Sequence, residues 1–212
     1  MGAQRASGFA ERQSGTSAAT LLARWVAEIL APPVLAAATL FFVALRSTAP
    51  IWVALGWGLL TSLFSAVLPY AVVLVGVRRG HFGDRELRQR HERLVPLLLG
   101  VVSVLVGMGI VRALGAPLPI LATVAGMLAG LVVVILITTV WKVSLHLAVA
   151  SGAVVVLWLQ LGTVAMAAVP LLVLLAWSRV RTGSHTVAQA ATGSLVGAAV
   201  VAVVYGGVMV AG

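Results

Sequence analysis

The sequence predicts an all-α fold, a polytopic integral membrane bundle of six to seven transmembrane helices, on three observations. Of 212 residues, 61% are hydrophobic and only 9% are charged, against about 45–50% and 25% in soluble domains. Mean hydropathy is +1.13, so lipid must solvate surface that no small aqueous core could hide. The apolar residues also fall into runs near the crossing length of about 20 residues, separated by Pro, Gly or charge. These runs are continuous and lack two-residue alternation, which argues against a β-barrel. Cysteine is absent, so disulfide frameworks and thiolate chemistry are excluded.

Residues 1–20 are rich in Ser, Gly, Ala and Gln with mixed charge, a composition that predicts a disordered tail. Residues 21–212 then form a single transmembrane domain. The first span, near 21–45, carries Glu28 and Pro32-Pro33 and is too long for the core of a signal peptide. Arg46 to Pro50 breaks it from the second, near 50–77. The polar run 78–94 precedes a third span near 95–114, and Gly115-Ala116-Pro117-Leu118-Pro119 separates that from a fourth near 119–140. Segments near 145–162 and 164–178 are short for crossing, and the pair reads as a helical hairpin with ends below the headgroups. A last span falls near 187–210.

Seven crossings put the N-terminal tail, the 78–94 loop, Trp141-Lys142 and the 179–186 turn on one face. Twelve of the 14 Lys and Arg lie there, and Arg46 and Arg112 lie opposite. All five acids (Glu11, Glu28, Asp84, Glu86, Glu92) share the basic side. The positive-inside rule makes that side cytoplasmic, so the expectation is a multi-pass protein of the cell inner (plasma) membrane with a cytoplasmic N-terminus. The net charge of +9 is then a topology signal, and no nucleic-acid partner is implied. Trp25, Trp141 and Trp177 sit near one expected boundary, Trp52 and Trp158 near the other, as in an interfacial belt. Gly126-x3-Gly130 and Gly193-x3-Gly197 permit close helix contact within the chain, and the oligomeric state stays open.

Two polar clusters interrupt the apolar second half: Lys142-Val143-Ser144-Leu145-His146, and Ser178-Arg179-Val180-Arg181-Thr182-Gly183-Ser184-His185. The intervening hairpin returns the second cluster to the face of the first. Each histidine lies near the start of a following helix, where free N–H groups and the positive dipole end favour an anion. Lys142 and Arg179 add cationic donors, and the set predicts a phosphate pocket. Two histidines with no carboxylate fixed beside them make an incomplete metal site. His81 and His91, in the charged loop, read as solvated residues.

These motifs resemble those of the type 2 phosphatidic acid phosphatase superfamily, the lipid phosphate phosphatases, in a divergent prokaryotic form. Where that family has Pro-Ser-Gly-His, this chain has Val143-Ser144-Leu145-His146. Where it has Ser-Arg-x5-His-x3-Asp, Ser178-Arg179-x5-His185-x3-Gln189 keeps the spacing and ends in Gln. The family's Lys-x6-Arg-Pro motif has a loose counterpart in residues 84–93, with Arg93 as the distal Arg and Pro96 displaced.

The resemblance implies a membrane phosphatase-like domain that hydrolyses a lipid phosphate or diphosphate: phosphatidic acid, phosphatidylglycerol phosphate or a polyprenyl (di)phosphate. It implies a phosphohistidine on His185, with His146 as the acid for the leaving alcohol and Gln189 facing His185 in place of the family's Asp. Arg179, Ser144, Lys142, Arg93 and Ser178 would hold the phosphate, with no metal and no cofactor. Gln189 brings no negative charge and so predicts slow catalysis unless Asp84, Glu86 or Glu92 supplies a carboxylate. Gln189 and Leu145 also motivate an alternative, a relative of low or no activity that binds or translocates phospholipid. A small anion transporter is less favoured, because the ionisable groups gather at one face and away from mid-membrane.

Overall fold

The computed structural model describes residues 17–81 and 94–212, and every regular element among them is helical. In chain order these are α1 (Ala18–Ile29), α2 (Pro32–Ser47), α3 (Ile51–Ser62), α4 (Leu68–Arg78), α5 (Leu94–Ala113), α6 (Leu118–Val140), α7 (Leu145–Leu161), α8 (Val169–Arg181) and α9 (Val187–Ala211). Of the tail expected over 1–20, residues 1–16 lie outside the described residues. Ser17 caps α1 by accepting the Thr20 N–H at 3.3 Å, so helix begins before position 20.

Prolines shape the first two spans. α1 and α2 together fill the first, with a 45° bend between them. Pro32 and Pro33 cannot donate to the preceding turn, but their fixed φ suits the start of a new helix. α3 passes into α4 through a π-helical turn at Leu63–Val67, where the Leu68 N–H bonds the Leu63 carbonyl. Pro69 has no N–H to offer the Phe64 carbonyl. Ser103 of α5 satisfies that oxygen instead, donating from Oγ at 2.7 Å.

The chain is a multi-pass membrane protein: five helical stretches are long and apolar enough to cross, or six when the bent α1–α2 pair forms one span. The sequence suggested seven segments. The difference lies in Leu145–Arg181, which counts as one stretch of 37 residues. A straight helix of that length would extend about 55 Å, far beyond a hydrocarbon core of about 30 Å. Yet Lys142 Nζ, just before it, donates to the Ser184 carbonyl just after it at 2.8 Å. The stretch therefore doubles back, through a left-handed Gly162 (φ 63°) and the 3₁₀ segment Gly162–Ala168. Its limbs, α7 and α8, have 17 and 13 residues, so the hairpin read from the sequence is present.

Small residues let α9 approach α7 and α6. A Cβ on Gly193 would strike the Ser144 carbonyl, and one on Gly197 would strike the backbone of Ala148. A Cβ on Gly152 of α7 would lie 2.9 Å from Val201. The glycine motif on α9 thus serves contact within the chain. At one end of the bundle Val26, Leu147, Leu175 and Ala190 gather α1, α7, α8 and α9. Toward the other, Val43, Val111, Ile120, Val156 and Tyr205 form a larger cluster. Trp25, Trp52, Trp141, Trp158 and Trp177 are all exposed, as side chains in a lipid interface would be.

Candidate functional site

The first polar cluster is set by a helix cap. Ser144 is fully buried and is the N-cap of α7, its Oγ accepting the Leu147 N–H at 3.5 Å. This places His146 in the first turn, partly buried. The Ser144 N–H donates to the Gln189 carbonyl at 3.3 Å and so joins the start of α7 to the first turn of α9.

The second cluster is set by a helix stop. Past α8, Gly183 takes a left-handed φ of 66° that a side chain would resist. The chain reverses, and the N–H groups of both Ser184 and His185 reach the Arg179 carbonyl at 3.1 Å. The Arg-x5-His spacing is thus closed by a glycine turn that returns His185 to Arg179. Both side chains are buried, Arg179 to 2% and His185 to 6% exposure.

A cavity of about 250 Å³ opens beside these residues. Glu28, Tyr70, His146, Arg179 and His185 contribute its titratable lining, Ser65 and Thr138 add hydroxyls, and the remainder is apolar, with Val104, Met127, Leu131, Val134 and Val201 among it. Along α6 the lining runs from Thr138, close to Trp141, to Gly126. At 1.5 Å per residue that is about 18 Å, roughly half of the hydrocarbon thickness. The cavity thus joins a small group of titratable residues to an apolar interior of the bundle.

Three of the residues expected in a phosphate site, His146, Arg179 and His185, line this one cavity. Ser144, Ser178, Lys142 and Gln189 are not among its lining residues, and their known bonds fasten backbone. Ser178, fully buried, donates from Oγ to the Ala23 carbonyl and ties α8 to α1. Lys142 grips the Ser184 carbonyl. Gln189 is the third residue of α9, and its Oε1 accepts the Thr186 N–H at 3.2 Å while Thr186 Oγ1 accepts the Gln189 N–H at 3.2 Å. This capping box gives the amide oxygen a partner. His185 precedes the cap Thr186 and is not on α9, and the Gln189 amide oxygen that the resemblance set against it accepts the Thr186 N–H. The signal was legible: Thr-x-x-Gln before an apolar run is a capping pattern.

Arg93, Asp84, Glu86, Glu92 and His91 lie outside the described residues. His81 follows α4 and is exposed. Among the described residues no group of three or more His, Asp or Glu could hold a metal. Sequence reasoning gave Glu28 no place in the site, counting it only against a signal peptide and among the acids of the basic side. A carboxylate inside an apolar run was the available signal.

Comparison with known proteins finds no matching family model, curated protein or solved structure.

Proposed function

We propose that this chain is an integral membrane phosphatase acting on a lipid phosphate or diphosphate, through a phosphohistidine. The observation that carries the reading is that His146, Arg179 and His185, from different helix ends, line one cavity that continues into an apolar channel. A phosphate headgroup matches the cationic end and a hydrocarbon tail matches the channel.

In the proposed reaction an imidazole nitrogen of His185 attacks phosphorus in line as the bond to the leaving oxygen breaks. His146 donates a proton to that oxygen, releasing the alcohol or the shorter phosphate. Water then attacks the phosphohistidine with His146 as base, which frees His185 and releases phosphate. Arg179 neutralises the equatorial oxygens, and such transfer depends on positioning and charge more than on covalent work by the protein. Imidazole suits both duties near neutral pH. The charge distribution supports a cytoplasmic site in the plasma membrane.

A second reading has specific support in the capping box of Gln189: a relative that binds or moves phospholipid with little or no turnover. Purified protein offered phosphatidic acid, phosphatidylglycerol phosphate and polyprenyl phosphates separates the two. The phosphatase reading requires phosphate release that His185→Ala abolishes. Binding without release, or equal release by both proteins, removes it.

A further inference from the structure

We infer that Glu28 is the positioning carboxylate of this site, serving the imidazole of His185 from outside the two histidine motifs. The inference rests on the phosphatase reading for its catalytic consequence, and on the cavity for its geometry.

Glu28 lines the same cavity as His146, Arg179 and His185, and it is the one acidic residue among the described residues. Its position is held from both sides. Two residues earlier, Val26 is buried in the cluster with Leu147, Leu175 and Ala190, which joins α7, the carrier of His146, to α9, the helix that follows His185. Ser178 bonds the Ala23 carbonyl one helical turn further back. The bend before Pro32 then directs the chain along the cavity, which Ala31, Pro32 and Pro33 also line.

Nothing in the helix itself favours an acid there. Glu28 is in the last turn of α1, where the macrodipole disfavours negative charge. Arg24, one turn earlier and exposed, offers only the weaker orientation of an i, i+4 pair. Glu28 is itself exposed, yet the cavity it lines holds Arg179 and the imidazoles, groups of the kind that compensate an acid in a membrane segment. The chemistry needs it too. A nucleophilic imidazole works through one nitrogen, and a carboxylate on the other fixes the tautomer and stabilises the cation. Gln189 brings no negative charge, and its amide oxygen already serves the cap.

A merely structural Glu28 and a positioning one differ in what Glu28→Gln does. The charged and titratable groups in play are Arg24 on the same helix and Tyr70, His146, Arg179 and His185 around the cavity. With the carboxylate neutralised, turnover should fall on the order of 10²–10⁴-fold, the upper figure being the carboxylate-to-amide loss of the serine protease triad. Affinity for inorganic phosphate should hold or rise a few-fold, since a competing anion has gone. Glu28→Asp should recover part of the rate.

Both variants, with His185→Ala, are to be assayed for lipid phosphate hydrolysis and phosphate binding. The His185 ring resonances are to be followed against pH in wild type and Glu28→Gln. Removing the carboxylate should move the His185 titration to lower pH. Turnover of Glu28→Gln within about threefold of wild type, with His185→Ala dead, overturns the role of Glu28 and leaves the phosphatase reading standing. No turnover by wild type on any lipid removes the phosphatase reading, and the titration then decides: an unmoved His185 curve overturns the carboxylate–imidazole link.

Discussion

Lys142 Nζ donates to the Ser184 carbonyl at 2.8 Å, joining two residues 42 positions apart. The bond closes the α7–α8 hairpin at its open end and sets the turn that carries His185 beside the turn that carries His146. A lysine expected to bind phosphate thus has a structural duty in the protein.

Replacing Lys142 with Met keeps the stem and removes the donor. The bond lost is charge-assisted, so stability should fall by about 1.5–3 kcal/mol, read as a lower thermal midpoint in detergent. Turnover should fall together with stability, and Lys142→Arg should recover much of both. A Met variant as stable as wild type but unable to bind phosphate would return Lys142 to the role of ligand.

Glycines on α9 should respond with opposite signs. Gly193→Ala and Gly197→Ala place a methyl against the backbones of Ser144 and Ala148, which should cost about 1–3 kcal/mol and loosen the first motif. Gly206→Ala meets nothing within 4 Å and should be neutral or stabilising by up to about 1 kcal/mol. Thermal unfolding of the three variants checks this, and equal effects would contradict the packing.

Gly183→Ala forces a side chain into the left-handed region, a strain of about 1–2 kcal/mol. It should also loosen the bonds from Ser184 and His185 to the Arg179 carbonyl. Hydrolysis should drop more than lipid binding, because His185 moves while the channel stays. A purely proportional loss of both would argue against a local effect.

How much of this was legible in the sequence depended on whether the signal was local. Apolar runs of crossing length, the short limbs on either side of Gly162, and the shared face of His146 and His185 follow from periodicity and counting. The bend before Pro32 follows from the missing N–H of proline. The uses of Ser144, Ser178 and Gln189 were harder, since hydroxyl and amide groups at helix ends serve backbone as readily as ligand. Thr186-x-x-Gln189 carried a capping pattern, but the family spacing pointed Gln189 at His185 instead. Glu28 was least legible, because its approach to residues more than a hundred positions away depends on the packing of Val26 and the bond from Ser178.

The hairpin also fixes a topological expectation. With α7 and α8 as two limbs and α1–α2 as one span, the proposed topology has an odd number of passes and predicts termini on opposite sides. A reporter active only outside the cell should work at the C-terminus and fail at the N-terminus. A cytoplasmic C-terminus would contradict the proposed orientation or the pass count.

In the proposed reaction His185 carries the phosphoryl group during turnover. Rapid quenching of the protein with phosphorus-labelled lipid phosphate, under alkaline conditions that preserve phosphohistidine, tests it most directly. Label should appear on the peptide containing His185, decay as phosphate is released, and vanish in His185→Ala. Release of labelled phosphate with no label ever on that peptide would contradict it.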